Sequence, residues 1–155
     1  MRRTLFMSAL ALVIAAPAHA GPAEDATATV TGLLDKFNGG DINTFFAGHR
    51  DGALIIDEFV PYVWGGSGSA QRWASDYMKD AEARGISGGR VDYSPPTQAS
   101  SDGSSAYIVL PTTYRFVQKA KKMAGKGSMT FVMNRVGPEW KIASWTYSGA
   151  TPTAE

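Results

Sequence analysis

Residues 33–46 read LLDKFNGGDINTFF and contain the end of one predicted helix, a turn and the start of a second helix. The first helix is predicted over residues 24–37, because apolar residues recur there at helical spacing: Ala26, Val30, Leu33, Leu34 and Phe37. Residues 38–40, Asn-Gly-Gly, end it, since glycine readily adopts the left-handed conformation that closes a helix. Asp41 is predicted to cap the short second helix, which carries Ile42, Phe45 and Phe46.

A strand is predicted over residues 53–59, with a short continuation at 62–64 after Pro61. Strict alternation along this strand puts Asp57 on the inner face with Ile55, and Glu58 on the opposite face. A turn at 65–69 then leads, with Ser67 or Ser69 as cap, into a third helix that extends to about Arg84 and ends at Gly85.

The remainder is rich in predicted strands, at residues 86–93, 104–117, 127–136 and 140–148. Pro111 should mark a bulge or an edge in the second of these, because proline cannot donate to a strand ladder. The lysine-rich segment 119–126 is expected to be a flexible hairpin tip, and residues 151–155 a loose tail. Helices followed by antiparallel strands predict one α+β domain over residues 21–155, with helices on one face of a curved sheet.

In this order of elements the chain resembles the NTF2-like, SnoaL-like superfamily, which includes ketosteroid isomerase. The resemblance lies in residues 37–41 and 53–57, in Trp64-Gly65-Gly66, and in the closing segment 140–145, WKIASW. It implies a cone: three N-terminal helices packed on a bent, mostly antiparallel sheet, with a pocket at the open end. It also implies a homodimer that pairs through the outer sheet face. Fold alone does not choose among the functions of such proteins.

Ketosteroid isomerase uses a carboxylate base and two oxyanion donors, a tyrosine and a protonated aspartic acid. By the resemblance the base matches Asp57, whereas the donor positions match Leu33 and Val132. Neither side chain can donate a hydrogen bond, so that particular reaction is not expected; each missing donor costs a factor of roughly 10²–10³.

Asp57 is the candidate catalytic residue, because a carboxylate beside aromatic rings has a raised pKa and can accept a proton. The bland alternative is a capping or salt-bridging role at a strand end. Six aromatic residues are candidates for ligand binding, since their rings combine apolar area with a hydrogen-bonding group: Tyr62, Trp64, Trp73, Tyr77, Tyr114 and Trp145. For Trp73, at helical spacing, ordinary core packing is the stronger alternative. His49 is expected at the surface, without a catalytic role.

The first twenty residues predict a signal peptide that is cleaved after Ala20. Arg2 and Arg3 precede an apolar run too short to span a bilayer, and Ala18-His19-Ala20 is a small-x-small cleavage pattern. The general secretory route is favoured over a twin-arginine route, and a periplasmic or secreted location is expected. The formal charge of +1 falls by two when Arg2 and Arg3 are removed, to about −1. Such a balance favours neither nucleic acid nor a membrane surface as partner.

Cysteine is absent and His49 is the one histidine after the cleavage point, so neither disulfides nor a transition-metal site are expected. No cofactor is predicted. The leading hypothesis is an exported protein that binds a small, mostly apolar molecule in its cone. Two alternatives stay open: an isomerase, dehydratase or hydrolase with Asp57 as general base, or an interaction domain whose cone is filled by its own side chains. An open cavity with a polar tip separates the binding hypothesis from the filled cone.

Overall fold

The computed structural model describes residues 21–155; the predicted signal peptide lies outside the described residues. Three helices, α1 (Pro22–Asn38), α2 (Ile42–Ala47) and α3 (Ser69–Arg84), pack on one face of an eight-stranded sheet. The strands are β1 (His49–Ile56), β2 (Val63–Trp64), β3 (Ile86–Tyr93), β4 (Gln98–Ser101), β5 (Ser105–Gln118), β6 (Lys121–Val136), β7 (Glu139–Gly149) and β8 (Thr153–Ala154).

The sheet runs in the order β2-β1-β7-β6-β5-β3, while β4 also pairs with β5 and β8 with β6. All pairs are antiparallel except β1 with β7, which are parallel. Side chains on the inner face of the sheet are buried against the helices, among them Ile108, Phe131 and Ile142. The predicted α+β class, with three helices on a mostly antiparallel sheet, is confirmed.

The turn that the sequence predicts between α1 and α2 is present. The Asp41 carboxylate accepts a hydrogen bond from the Thr44 amide at 3.2 Å, which caps α2 as expected. Asn38 adds a tie that the sequence did not indicate. Its side-chain amide donates to the Val91 carbonyl and accepts from the Val91 amide, both at 2.8 Å. These two bonds fix the end of α1 to β3.

The start of α3 differs from the prediction. Neither Ser67 nor Ser69 caps it, because Gly68 occupies the N-cap position with a positive φ of 70°. The Ser69 hydroxyl is buried and donates instead to the Ala53 carbonyl at 2.6 Å. This bond joins the first turn of α3 to β1, and the helix ends at Arg84 before Gly85, as predicted.

Pro111 causes neither a bulge nor an edge: it lies inside β5, whose pairing with β6 is continuous. Its carbonyl accepts from the Ser94 amide at 3.0 Å, so its backbone faces the link between β3 and β4. The missing N–H therefore falls where the neighbouring ladder is interrupted, and β5 tolerates the proline.

The lysine-rich segment and the chain end are more ordered than predicted. Lys119 and Ala120, with φ of 49° and 64°, form a tight turn, and β6 begins directly after it at Lys121. Residues 153–154 pair with Met123 and Ala124 of β6, so the expected loose tail is a short strand. Among residues 21–155, no helix is both long and apolar enough to cross a membrane.

Candidate functional site

A cavity of about 160 Å³ lies between α1, α3 and the inner face of the sheet. An engineered cavity of about 150 Å³ in another protein holds benzene, so this one has room for a single ring. Most of its wall is apolar. The polar groups on the wall are the carboxylates of Asp57, Glu58 and Asp80, the guanidinium of Arg84, and the hydroxyls of Tyr77, Tyr114 and Tyr147.

Five of the seven candidate side chains line this cavity: Asp57, Trp73, Tyr77, Tyr114 and Trp145. They come from α3, from the turn after β1, and from β5 and β7, so only the folded chain brings them together. Trp73 is at once a core residue, 5% exposed, and part of the cavity wall. The two roles considered for Trp73 from the sequence, core packing and ligand binding, are therefore compatible.

Asp57 is the half-buried carboxylate at the end of β1. Its Oδ2 accepts from the Trp73 indole Nε1 at 2.9 Å, and its Oδ1 accepts from the Glu58 amide at 2.8 Å. Burial raises the pKa of this carboxyl above its ordinary value, although both hydrogen bonds oppose the rise. The negative charges of Glu58 and Asp80 raise it further. Asp57 thus has the electrostatic setting of a proton acceptor.

Glu58 also lines the cavity, contrary to the strand alternation assumed from sequence. The reason is that β1 ends at Ile56, so Asp57 and Glu58 lie in the turn beyond it, where alternation no longer holds. The Glu58 Oε1 accepts from the Gly149 amide at 2.7 Å, which joins this turn to the end of β7.

Tyr77 and Tyr114 form a hydroxyl pair on the cavity wall, with their oxygens 2.6 Å apart. Burial raises the pKa of both phenols, so both stay protonated at neutral pH. One proton is used within the pair and the other remains to be donated. Gly89 makes the pair possible, because a Cβ there would lie 2.3 Å from the Tyr77 oxygen and 2.9 Å from that of Tyr114.

Tyr62 and Trp64, two of the candidate ligand-binding residues, lie outside the lining of this cavity. Tyr62 has a positive φ of 72°, and its side chain is 54% exposed. The Trp64 ring packs behind Phe59 at a centroid distance of 4.9 Å, and its Nε1 donates to Asp76 at 3.0 Å. Both residues support the turn that carries Asp57 rather than facing the void.

His49 is half-buried rather than a surface residue, and both of its ring nitrogens are bonded. Its Nδ1 donates to the Phe45 carbonyl at 2.9 Å, and its Nε2 accepts from the Trp145 indole Nε1 at 3.1 Å. Burial lowers the pKa of His49 to about 4, so the ring is neutral near pH 7. Trp145 in turn packs edge-on against Trp73 at 5.0 Å. His49 lies four residues after Phe45, and that spacing is the sequence feature from which its bond to the Phe45 carbonyl could have been predicted.

Leu33 and Val132 supply no hydrogen-bond donor, as their side chains dictate. Leu33 is buried in the core, and Val132 alternates with the inward-facing Phe131 and Met133, which directs it to the outer face. Within residues 21–155 no group of three or more His, Cys, Asp or Glu side chains is arranged to hold a metal ion.

The SnoaL-like domain family matches residues 26–152. A ketosteroid isomerase-like protein from Erwinia carotovora atroseptica shares 16% identity and a TM-score of 0.69, over 84% of this chain and 97% of its own. A hexachlorocyclohexane dehydrochlorinase shares 9% identity and a TM-score of 0.70, over 84% and 86%. An NTF2-like protein from Shewanella oneidensis shares 14% identity and a TM-score of 0.60, over 83% and 99%.

No curated protein sequence matches the chain. At these identities the structural likenesses establish the fold alone. Together with the match over most of its length, they show that the chain belongs to the SnoaL-like domain family and has its NTF2-like fold.

Proposed function

We propose that this protein binds one small, mostly apolar molecule in the cavity, with Asp57 engaging the polar end of that molecule. The observation that carries the proposal is the bond between Asp57 and Trp73 at the wall of a mostly apolar void of about 160 Å³. Ligand sites are typically apolar concavities with a few placed polar groups.

The void favours binding over an interaction domain with a filled cone. A ring of benzene size would remove most of its apolar surface from water, which is worth about 25 cal/mol per Å² buried. A filled cone would leave no such space beside a half-buried carboxylate.

The Tyr77–Tyr114 pair favours proton transfer as a second candidate function. Asp57 would accept a proton from a bound carbon or oxygen acid, while the free tyrosine proton would stabilise the negative charge that develops. In this scheme the tyrosine pair takes over the donor role that Leu33 and Val132 cannot fill. The reaction class would be an isomerisation, dehydration or hydrolysis.

Native mass spectrometry on protein purified from its own host tests the binding proposal. A small molecule that is retained under native conditions and released on denaturation supports the proposal. The mass of the bare polypeptide in every one of several independent preparations contradicts it. The Asp57→Asn variant separates the two functions: a catalyst loses turnover of a substrate that the wild type converts, while a pure binder has no turnover to lose.

We also propose export and pairing of two copies through the outer sheet face. The cleavage pattern at 18–20 supports export. Tyr107, 40% exposed, and the half-buried Val109 and Val132 give the outer face an apolar strip that a second copy would cover. Sedimentation equilibrium of the mature chain tests the pairing, since a monomer mass at all concentrations would contradict it.

A further inference from the structure

We propose that the ligand of this cavity is a small organic cation, whose positive charge lies beside Asp57 and whose apolar body contacts the surrounding aromatic rings. This inference rests on the proposed binding function and adds the chemical class of the ligand.

The Asp57 carboxylate has no countercharge among the described residues. Asp57 is half-buried and accepts hydrogen bonds only from neutral donors, the Trp73 indole and the Glu58 amide. Among the ion pairs of residues 21–155, none includes Asp57 or Glu58. Arg84, the basic residue on the wall, is already paired with Asp80 at 3.0 Å. Because a charge that is partly removed from water is normally paired, the unpaired Asp57 carboxylate favours a cationic ligand.

Aromatic rings form much of the cavity wall around that carboxylate. Trp73 meets Trp145 edge-on at 5.0 Å, Phe59 lies 6.2 Å from Tyr77, and Tyr147 completes the wall on β7. The negatively charged faces of such rings attract a cation that has left water. The pKa of Tyr147 is raised by burial and then by the charges of Glu58 and Asp57, so its ring lies in the same negative field.

The cavity suits an organic cation better than a metal ion. Ca²⁺ takes about six to eight oxygen ligands, and no group of three or more candidate ligands is arranged for a metal within residues 21–155. The void is instead large enough for a ring and is mostly apolar. An organic cation, which needs one countercharge and an apolar surround, fits these features.

Two probes of the same shape test the inference: N-methylpyridinium, which carries a permanent charge, and toluene, its neutral counterpart. Each is titrated into the full protein at pH 7 and followed by calorimetry or by indole resonances. We expect both to bind. We expect Asp57→Asn to weaken N-methylpyridinium about tenfold while toluene changes less than about twofold, because only the cation loses its countercharge. Glu58→Gln should weaken the cation selectively as well.

Asp76→Asn is the matched control, since Asp76 also accepts from an indole but lies outside the cavity lining. It should leave both affinities unchanged. Thermal unfolding of each variant verifies that it folds. If toluene binds and N-methylpyridinium does not, or if Asp57→Asn weakens both probes equally, the cationic class is overturned while the binding function stands. If neither probe binds to the folded wild type, the binding function fails as well.

Discussion

Two indole–carboxylate pairs in this molecule have the same bond and opposite electrostatics. Trp73 donates to Asp57 at 2.9 Å, and Trp64 donates to Asp76 at 3.0 Å. The pKa of Asp57 is raised, chiefly by burial, whereas the pKa of Asp76 is lowered by its hydrogen bonds to Trp64 and Lys79. Asp76 lies 3.2 Å from Lys79, while none of the ion pairs among residues 21–155 includes Asp57.

The difference shows that the environment, and not the indole bond, decides what each carboxylate can do. The Trp64–Asp76 pair holds β2 against α3, and Lys79 lies beside its carboxylate as a countercharge. The Trp73–Asp57 pair places a half-buried carboxylate, without such a countercharge, at the edge of a void. Only at Asp57 would the binding of a cationic ligand or a proton relieve an unfavourable electrostatic free energy.

The largest expected effect extends the comparison to a third indole, Trp145, whose acceptor is the neutral His49. The pKa of His49 falls from an unfolded value of about 6.5 to about 4 in the folded protein. The unfolded chain therefore binds more protons between these values, and the free energy of unfolding should fall by about 3 kcal/mol as pH drops from 7 to 4. Urea unfolding at several pH values measures this.

The His49→Gln variant is the control for that slope. Its side chain does not titrate, so the loss of stability between pH 7 and pH 4 should shrink by the same amount. Asp57 acts in the opposite direction, because a raised folded pKa adds stability as pH falls through it. An unchanged slope in His49→Gln would contradict the assignment.

Replacing each indole by phenylalanine compares the two pairs directly. Trp73 and Trp64 are almost equally buried, at 5% and 4% exposed, so the loss of packing is similar. Trp73→Phe leaves a half-buried carboxylate without one of its donors, a cost of about 1–3 kcal/mol. Trp64→Phe leaves Asp76 with Lys79 and water. Chemical denaturation should therefore show the larger loss for Trp73→Phe, and equal losses would refute the distinction.

Gly89→Ala tests how closely the Tyr77 and Tyr114 hydroxyls approach the backbone of β3 at Gly89. The new methyl group would collide with both hydroxyl oxygens, so we expect a destabilisation of about 1–3 kcal/mol. Gly32→Ala, at an exposed position inside α1 with open space around it, should instead stabilise by about 0.5–1 kcal/mol. Thermal unfolding of the two variants should shift in opposite directions; a neutral Gly89→Ala would contradict the close contact.

The smallest expected effect comes from neutralising each carboxylate. Because the folded pKa of Asp57 is raised, its ionised form opposes folding above that pKa, and Asp57→Asn should raise the melting temperature at pH 7 by a few degrees. The folded pKa of Asp76 is lowered, so Asp76→Asn should lower the melting temperature slightly or leave it unchanged. Shifts of the same sign in both variants would remove the contrast between the pairs.

The fold follows from patterns that are local in sequence. The stripe from Ala26 to Phe37, the Asn-Gly-Gly turn and the Asp41 cap each specify their structure within a few residues, and the resemblance supplies the order of strands. The short strand β8 could not be predicted, because Thr153 and Ala154 have no pattern of their own and are ordered by pairing with β6.

The site was predictable only in part, because cavity contacts depend on where strands end. Alternation placed Asp57 inward, but it misplaced Glu58, since β1 stops at Ile56. The left-handed backbone of Tyr62 turns its ring to solvent, and no neighbouring residue signals that conformation. His49 became part of the site's support only through Trp145, which is 96 residues away.

The central claim is that the void beside Asp57 takes a ligand, and resonance measurements during a toluene titration test it most directly. The carboxyl carbon of Asp57 and the indole N–H of Trp73 should shift together and saturate at one ligand per chain, while those of Asp76 and Trp64 stay unchanged. Saturating shifts at Asp76 and Trp64 alone, or no shift at any of the four groups up to the solubility limit of toluene, would contradict the account.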